Sequence, residues 1–286
     1  MAEECDATDD DPTDPDVTDP MAVATVPEPV GDSAYRQSTD DSSGPLSAGD
    51  PASAGPVHAV GIGPGDPASL TRRAEGLLRE ADAVVGFETV VEYVDGLTDA
   101  VLLACGYDDE AETLARFADR VADGADGVAV LMGDPNHSGY QFVGKVEMAV
   151  DRVVRVVPGV SSLQVAAGRA RTPMEATTFV TLHRRGPIDA DLTRLRRDVG
   201  DRHLLVLPRP FDWMPGDVAA DLLDAGADPS LQAFVFERLT HADEQTTRTT
   251  LDALAERAGG TGPDDTPFDD LSVLCVRAAG SGGGDP

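Results

Sequence analysis

The chain has 286 residues, 41% of them hydrophobic, and a formal charge of −30 from 52 acidic and 22 basic side chains. A surface of that sign repels nucleic acid and anionic membranes, so neither is an expected partner. No apolar run approaches the roughly 20 residues of a membrane span, no basic stretch runs into an apolar one as in a secretory signal, and the three cysteines, Cys5, Cys105 and Cys275, are too scattered for a disulfide framework or a Cys-x-x-Cys metal site. The expected compartment is reducing and cytoplasmic.

Lys145 is the single lysine; every other basic residue is arginine. Acidic excess with so little lysine suits a high-salt cytoplasm, where close screening weakens repulsion between carboxylates. The fold is therefore expected to melt at a higher temperature in molar salt than in dilute buffer. A melting temperature that is flat or falls as salt is added contradicts halophilic adaptation.

Residues 1–56 hold fourteen acidic residues against one basic, Arg36, with repeated Asp-Pro pairs and few large apolar side chains. Such a segment cannot bury enough surface to offset the entropy of ordering, which predicts a disordered acidic tail. From Val57 onward short apolar runs alternate with segments of helical period. Strands are predicted over 57–62, 82–86, 101–104, 127–132 and 152–157, and helices over 69–80, 109–123, 139–150 and 161–171. This is the β-α-β alternation of a parallel sheet covered on both faces. After a break near Arg171-Thr172-Pro173 a second set follows. Its strands are predicted over 178–183, 203–207, 232–236 and 271–276, and its helices over 189–198, 216–225 and 247–257. The expected architecture is α/β, with two α/β domains, 57–174 and 175–280, a ligand cleft between them, and a disordered end at 281–286.

Three glycine-containing turns follow strands of the first set. The first, Gly61-Ile62-Gly63-Pro64-Gly65-Asp66-Pro67, invites comparison with the dinucleotide fingerprint G-x-G-x-x-G but fails it. Asp66 stands where the third glycine belongs, and the two prolines stiffen the turn rather than open a helix to phosphate. A Walker A loop is excluded, because no Gly-Lys-Ser/Thr occurs. The second turn is Gly133-Asp134-Pro135 and the third Pro158-Gly159-Val160-Ser161-Ser162. In a parallel sheet all three lie at the carboxyl edge, where such sheets hold ligands. Ser161 and Ser162 open a helix, where a hydroxyl either caps the free N–H groups or helps to bind an anion.

In this order and spacing the three turns resemble those of the tetrapyrrole (corrin/porphyrin) methylase family, over about 57–277. Pro158-Gly159-Val160-Ser161-Ser162-Leu163-Gln164, Thr181-Leu182-His183-Arg184-Arg185, Phe236-Glu237-Arg238-Leu239 and Asp270-Leu271-Ser272-Val273-Leu274 are similar to the branch that methylates ring carbon 5 of a cobalt-precorrin in cobalamin biosynthesis. The resemblance implies S-adenosylmethionine as methyl donor, a tetrapyrrole substrate and a homodimer. It implies a donor site at Gly133, Asp134, His137, Ser161, Ser162, Leu182 and Leu207. It turns the first loop, with Gly63, Pro64 and Gly65, toward the tetrapyrrole. At two points the chain departs from the family pattern: in Asn136-His137-Ser138-Gly139-Tyr140, and at Arg184, where glycine is common.

Methyl transfer from a sulfonium to carbon is an in-line displacement on an already activated electrophile. It requires neither a metal nor a covalent nucleophile, and the chain offers no Ser-His-Asp, Cys-His or His-x-x-x-His arrangement. No metal site is expected. Asp66, on the loop facing the substrate, is the candidate to orient or accept the proton lost from the ring carbon; an Asx turn or helix cap is the alternative use for it. The substrate's acetate and propionate groups require a local reversal of sign in this acidic protein. Arg184 and Arg185, following a strand, are the candidates to pair with them, and His183 beside them and His137 are candidates to line the cleft, His183 on the substrate side. Two other functions share these motifs. One is a sibling methylase acting on another ring carbon, on uroporphyrinogen III or in diphthine synthesis. The other is an α/β binding module without chemistry.

Overall fold

Five short apolar strands, β1 (Val57–Gly61), β2 (Ala83–Phe87), β3 (Val101–Cys105), β4 (Gly127–Leu131) and β5 (Val154–Val157), run in one direction in the order β3-β2-β4-β1-β5. The computed structural model describes residues 55–280 apart from 138, 185, 211, 260 and 261. The acidic tail and the glycine-rich end therefore lie outside the described residues, save for Gly55 and Pro56.

All neighbours in this sheet pair in parallel, and β4 is buried along its whole length. Strands buried on both faces need helices on both faces, and the alternation of side chains supplies them. Val60, Val84, Val128 and Val130 pack against α1 (Arg72–Glu80) and the single turn α2 (Glu88–Val91) through Ala74, Leu78, Val90 and Val91. Val57, Val85, Ala129 and Leu131, on the opposite face, meet α3 (Glu110–Ala122) and α4 (Tyr140–Ala149) through Leu114, Phe117, Phe142 and Val146. Helix α1 starts where Thr71 caps it, its hydroxyl accepting from the Ala74 amide at 3.2 Å.

The second sheet is mixed. β6 (Thr177–Thr181) and β7 (His203–Leu207) are parallel, whereas β8 (Gln232–Glu237), β9 (Gln245–Thr250) and β10 (Ser272–Val276) join antiparallel, in the order β6-β7-β10-β8-β9. One face is covered by α6 (Asp189–Asp198), α7 (Pro215–Asp224) and α8 (Leu251–Ala255), which bury Leu195, Leu222 and Leu254 against Val180, Val206, Val235 and Leu274.

The other face is covered by α5 (Ser162–Ala170), whose Leu163, Ala166, Ala167 and Ala170 lie on Leu205, Phe236, Val273 and Cys275. Helix α5 springs from the end of β5 in the first sheet and buries its apolar face on the second. A buried leucine such as Leu163 stabilises this docking by about 1.5–3 kcal/mol. The amino end of α5 is thereby fixed beside both sheets, and that end carries the third glycine turn.

One segment departs from its sequence reading. Residues 247–257 carry a helical period, but only the stretch from Leu251 onward is helical. Gln245-Thr246-Thr247-Arg248-Thr249-Thr250 forms the exposed edge strand β9. Four threonines in six residues favour a pleated edge over a helix.

Candidate functional site

The strands β4, β1 and β5 lie side by side, so their following turns meet at one edge. They meet without room for a side chain. A Cβ on Gly61 would stand 2.5 Å from the Gly133 carbonyl oxygen and 2.7 Å from the Gly159 nitrogen, and one on Gly159 would stand 2.3 Å from the Gly133 oxygen. Gly133 donates its N–H to the Gly63 carbonyl at 2.8 Å and accepts from the Gly63 N–H at 3.3 Å, with both residues at positive φ. The chain needs glycine there because these backbones touch and because left-handed φ is costly for other residues.

Asp134 fastens the second turn to the third. One carboxylate oxygen accepts from the Asn136 backbone and side-chain N–H groups at 2.8 and 2.9 Å, and the other accepts from the Gly159 N–H at 3.2 Å. The residue is buried. Asp134→Ala strands these donors and is expected to cost about 1–3 kcal/mol. A thermal melt checks this; an unchanged melting temperature removes the clamp role.

The second sheet supplies the opposite wall. Leu207 ends β7, His183 follows β6, the loop from Arg238 to His241 follows β8, and Asp270 and Leu271 lead into Ser272 and Val273 of β10. With Pro64, Met132, Gly133, Asp134, Ser161 and Ser162 they line a cleft open to solvent. The mix of apolar wall with a few polar groups is the usual pattern of small-molecule sites. The first glycine loop closes one end. The Pro64 carbonyl lies 3.1 Å from His241 Nε2, and the Asp66 amide donates to the Thr240 hydroxyl at 3.1 Å. Gly65 has φ 140°, which strains other residues, and a Cβ there would stand 2.2 Å from His241 Nε2, so the ring would have to move.

The Arg238–His241 loop is strained: Arg238 and Thr240 have φ of 50° and 71°. Arg238 is held by Asp243 at 2.8 Å and Asp269 at 2.7 Å. Protein around His183 desolvates its ring and lowers its pKa, against the opposing pull of Asp270 and a hydrogen bond to the Pro208 backbone. Burial pushes the Cys105 thiol up to about 11 and the Cys275 thiol up to about 12, so neither is a nucleophile at neutral pH. Among the described residues no group of three or more metal-ligating side chains occurs.

The structure brings together Pro64, Gly133, Asp134, Ser161, Ser162, His183 and Leu207 of the residues singled out from the sequence. Ser161 caps α5, its hydroxyl accepting from Leu163 N–H while Gln164 returns the bond, which leaves Ser162 as the serine presented to the cleft. Gly63 and Gly65 shape the loop rather than line the cleft. Asp66 caps the turn Pro67–Ser69, accepting from the Ala68 N–H at 2.8 Å, and does not line the cleft; its carboxylate serves the turn.

Leu182 is fully buried in the core and does not line the cleft; its N–H donates to the Leu207 carbonyl at 2.8 Å and its carbonyl accepts from the Arg184 N–H at 2.7 Å. His137 does not line the cleft; its ring is edge-on to Phe179 with centroids 5.5 Å apart, and its buried Nδ1 has no hydrogen-bond partner among the described residues. Arg184 turns away to pair with Asp191 on α6, and Arg185 lies outside the described residues. Sequence reasoning gave no role to Arg238, His241, Asp270 or Ser272, although three of the four sit in segments that carried the family resemblance.

Comparison with known proteins gives this architecture its family. The model for tetrapyrrole (corrin/porphyrin) methylases matches residues 56–255. The chain belongs to this family of S-adenosylmethionine-dependent C-methyltransferases. It is 29% identical to a siroheme synthase of Methylococcus capsulatus over 73% of this chain and 47% of that one. It is 27% identical to a probable cobalt-precorrin-7 C(5)-methyltransferase of Methanocaldococcus jannaschii over 71% of this chain and 92% of that one. The chain thus spans about half the length of the siroheme synthases it matches. Among solved structures, a uroporphyrin-III C-methyltransferase from Thermus thermophilus complexed with S-adenosylhomocysteine superposes with a TM-score of 0.58 and 27% identity, covering 78% of this chain and 97% of that one.

The residues present fit a donor of that kind. Ser272 Oγ is buried on the cleft wall with no hydrogen-bond partner among the described residues. A buried hydroxyl left unpaired is costly, and a polar ligand in the cleft would satisfy it.

Proposed function

We propose that the chain transfers a methyl group from S-adenosylmethionine to carbon 5 of a cobalt-precorrin in cobalamin biosynthesis. The observation that carries this reading is the match to the Methanocaldococcus jannaschii methyltransferase, which takes in 92% of that protein's length, whereas less than half of the longer siroheme synthases is matched. When bound, the donor supplies a methyl group on a positively charged sulfur. Gly133, Asp134, Ser161, Ser162, Leu207 and Ser272 are the residues that would hold it. Pro64, His183 and Arg238, which also line the cleft, would face the tetrapyrrole, with Arg185 as a further candidate for its carboxylates. The same reading places the protein in the cytoplasm as a homodimer; no helix among the described residues is long and apolar enough to cross a membrane.

A sibling activity, methylation of uroporphyrinogen III, is the second reading, favoured by the identity to siroheme synthases across 73% of this chain. Incubation with donor and, in parallel, uroporphyrinogen III or the cobalt-precorrin that lacks the carbon-5 methyl separates the two. The proposal expects one methyl gained by the cobalt-precorrin only. Turnover of uroporphyrinogen III alone selects the sibling, and turnover of neither removes both.

A further inference from the structure

Replacing a ring C–H, or any acceptor hydrogen, by a methyl group from a sulfonium releases one proton. The S–CH3 bond breaks, its electron pair stays on sulfur, the acceptor carbon forms the new C–CH3 bond, and the proton must pass to a base. Resting on the methyl-transfer reading above, the search for that base is a matter of which side chains on the cleft have an oxygen or nitrogen left to receive it.

Asp66 caps Pro67–Ser69 and does not line the cleft. Asp134 spends both carboxylate oxygens on Asn136 and Gly159. His241 holds its Nε2 against the Pro64 carbonyl and its ring edge-on to Tyr93 at 5.7 Å. His183 bonds the Pro208 backbone, and the protein around it disfavours its charged form. Arg238 is already a cation. Of the two carboxylates that line the cleft among the described residues, Asp134 is clamped between turns, whereas Asp270 is exposed.

We propose that Asp270 takes the proton released on methylation, and that Asp269 and Arg238 position and tune it. The geometry behind Asp270 is built for this. Asp269 accepts from the Leu271 N–H at 2.8 Å and from Arg238 Nε at 2.8 Å, and Arg238 is itself fixed by Asp243. Desolvation raises the pKa of Asp269, but the bonds from Leu271 and Arg238 outweigh it and hold that carboxyl below its ordinary value. Asp270 is then placed beside a fixed negative charge. Partial burial, followed by its hydrogen bond to Asp269 and the repulsion between the two, raises its pKa from its ordinary value. A carboxylate made more basic by its neighbour is a better proton acceptor near neutral pH. The charged and titratable groups that face it are Asp269 on its own strand lead, Arg238 with Asp243 on the loop after β8, and His183 after β6.

The test uses the full chain, the accepted tetrapyrrole and S-adenosylmethionine, comparing wild type with Asp270→Asn, Asp270→Glu and Asp269→Asn. Asp270→Asn is expected to lower kcat by about 100- to 10,000-fold while donor affinity by calorimetry stays within about threefold, and Asp270→Glu is expected to recover part of the loss. The base must be ionised to work, so activity falls as the pH drops through its pKa. Asp269→Asn removes the neighbouring negative charge, lowers that pKa and is expected to move the acid limb of the kcat profile to lower pH. A purely structural role would leave the limb in place. Asp270→Asn turning over within about threefold of wild type, or a limb unmoved in Asp269→Asn, overturns the assignment while leaving methyl transfer standing. A folded wild type that binds the donor and methylates no tetrapyrrole overturns both.

Discussion

Gly159→Ala is expected to lose donor binding and to lower stability, although it adds one methyl group. The new Cβ would stand 2.3 Å from the Gly133 carbonyl oxygen and 2.7 Å from the Gly61 carbonyl carbon and oxygen. These are backbone atoms of two other turns, so no rotamer change relieves the contact. The third turn must move away from the first two, and the Asp134–Gly159 bond at 3.2 Å goes with it. Overpacking of this kind costs about 1–3 kcal/mol. Gly168→Ala is the matched control. It lies on the exposed side of α5 with nothing within 4 Å of its Cβ, and a glycine inside a helix gives up about 0.5–1 kcal/mol relative to alanine. The control is expected to stabilise the protein and leave donor affinity alone. Equal melting temperatures and equal donor affinities for the two variants would show that the meeting of the turns has no bearing on the site.

Ser162→Trp is expected to abolish donor binding while the fold stays intact. Ser162 is the first residue of α5, partly exposed and presented to the cleft, whereas the cap itself is made by the neighbouring Ser161. An indole at that place projects into the cleft without disturbing the capping box. A fall in affinity of about 100-fold or more, worth about 2.7 kcal/mol, is expected by calorimetry, with an unchanged thermal melt. Wild-type affinity in this variant would move the donor out of the cleft.

The first sheet was legible in the sequence because its signal is local. Each strand is a short, nearly continuous apolar run, such as Gly127–Leu131, and the longer crossover helices, such as Glu110–Ala122, carry their own period, whereas the single turn Glu88–Val91 is too short to show one. The three turns were legible for the same reason: glycine and proline mark positions where the backbone has no other choice. The second sheet was harder to read. Its edge strand Gln245–Thr250 has no buried face to impose a pattern, and the apolar residues Leu251 and Leu254 just beyond it lent it a helical look.

The site was legible only on the side built from those turns. Asp66 has the right loop and the right chemistry, but it takes the alternative use the sequence offered, a cap, with a backbone amide two residues on as its partner. Arg184 follows a strand at the expected edge, and Asp191 on α6 claims it. Arg238, His241 and Asp270 reach the cleft from two loops separated by about thirty residues, brought together by antiparallel pairing of β8 with β10. No spacing along the chain encodes that meeting. The cues were that Arg238 directly follows β8, that Asp270 stands two residues before β10, and that both lie in segments carrying the family resemblance.

The central claim is that the donor sits where the three glycine turns face the second sheet. A crystal structure of the protein grown with S-adenosylhomocysteine tests it most directly. The account predicts density for the ligand in the cleft, beside Gly133 and Ser162, with a polar atom within hydrogen-bond distance of Ser272 Oγ. Density at any other place on the molecule, or an occupied cleft in which Ser272 still lacks a partner, would contradict it.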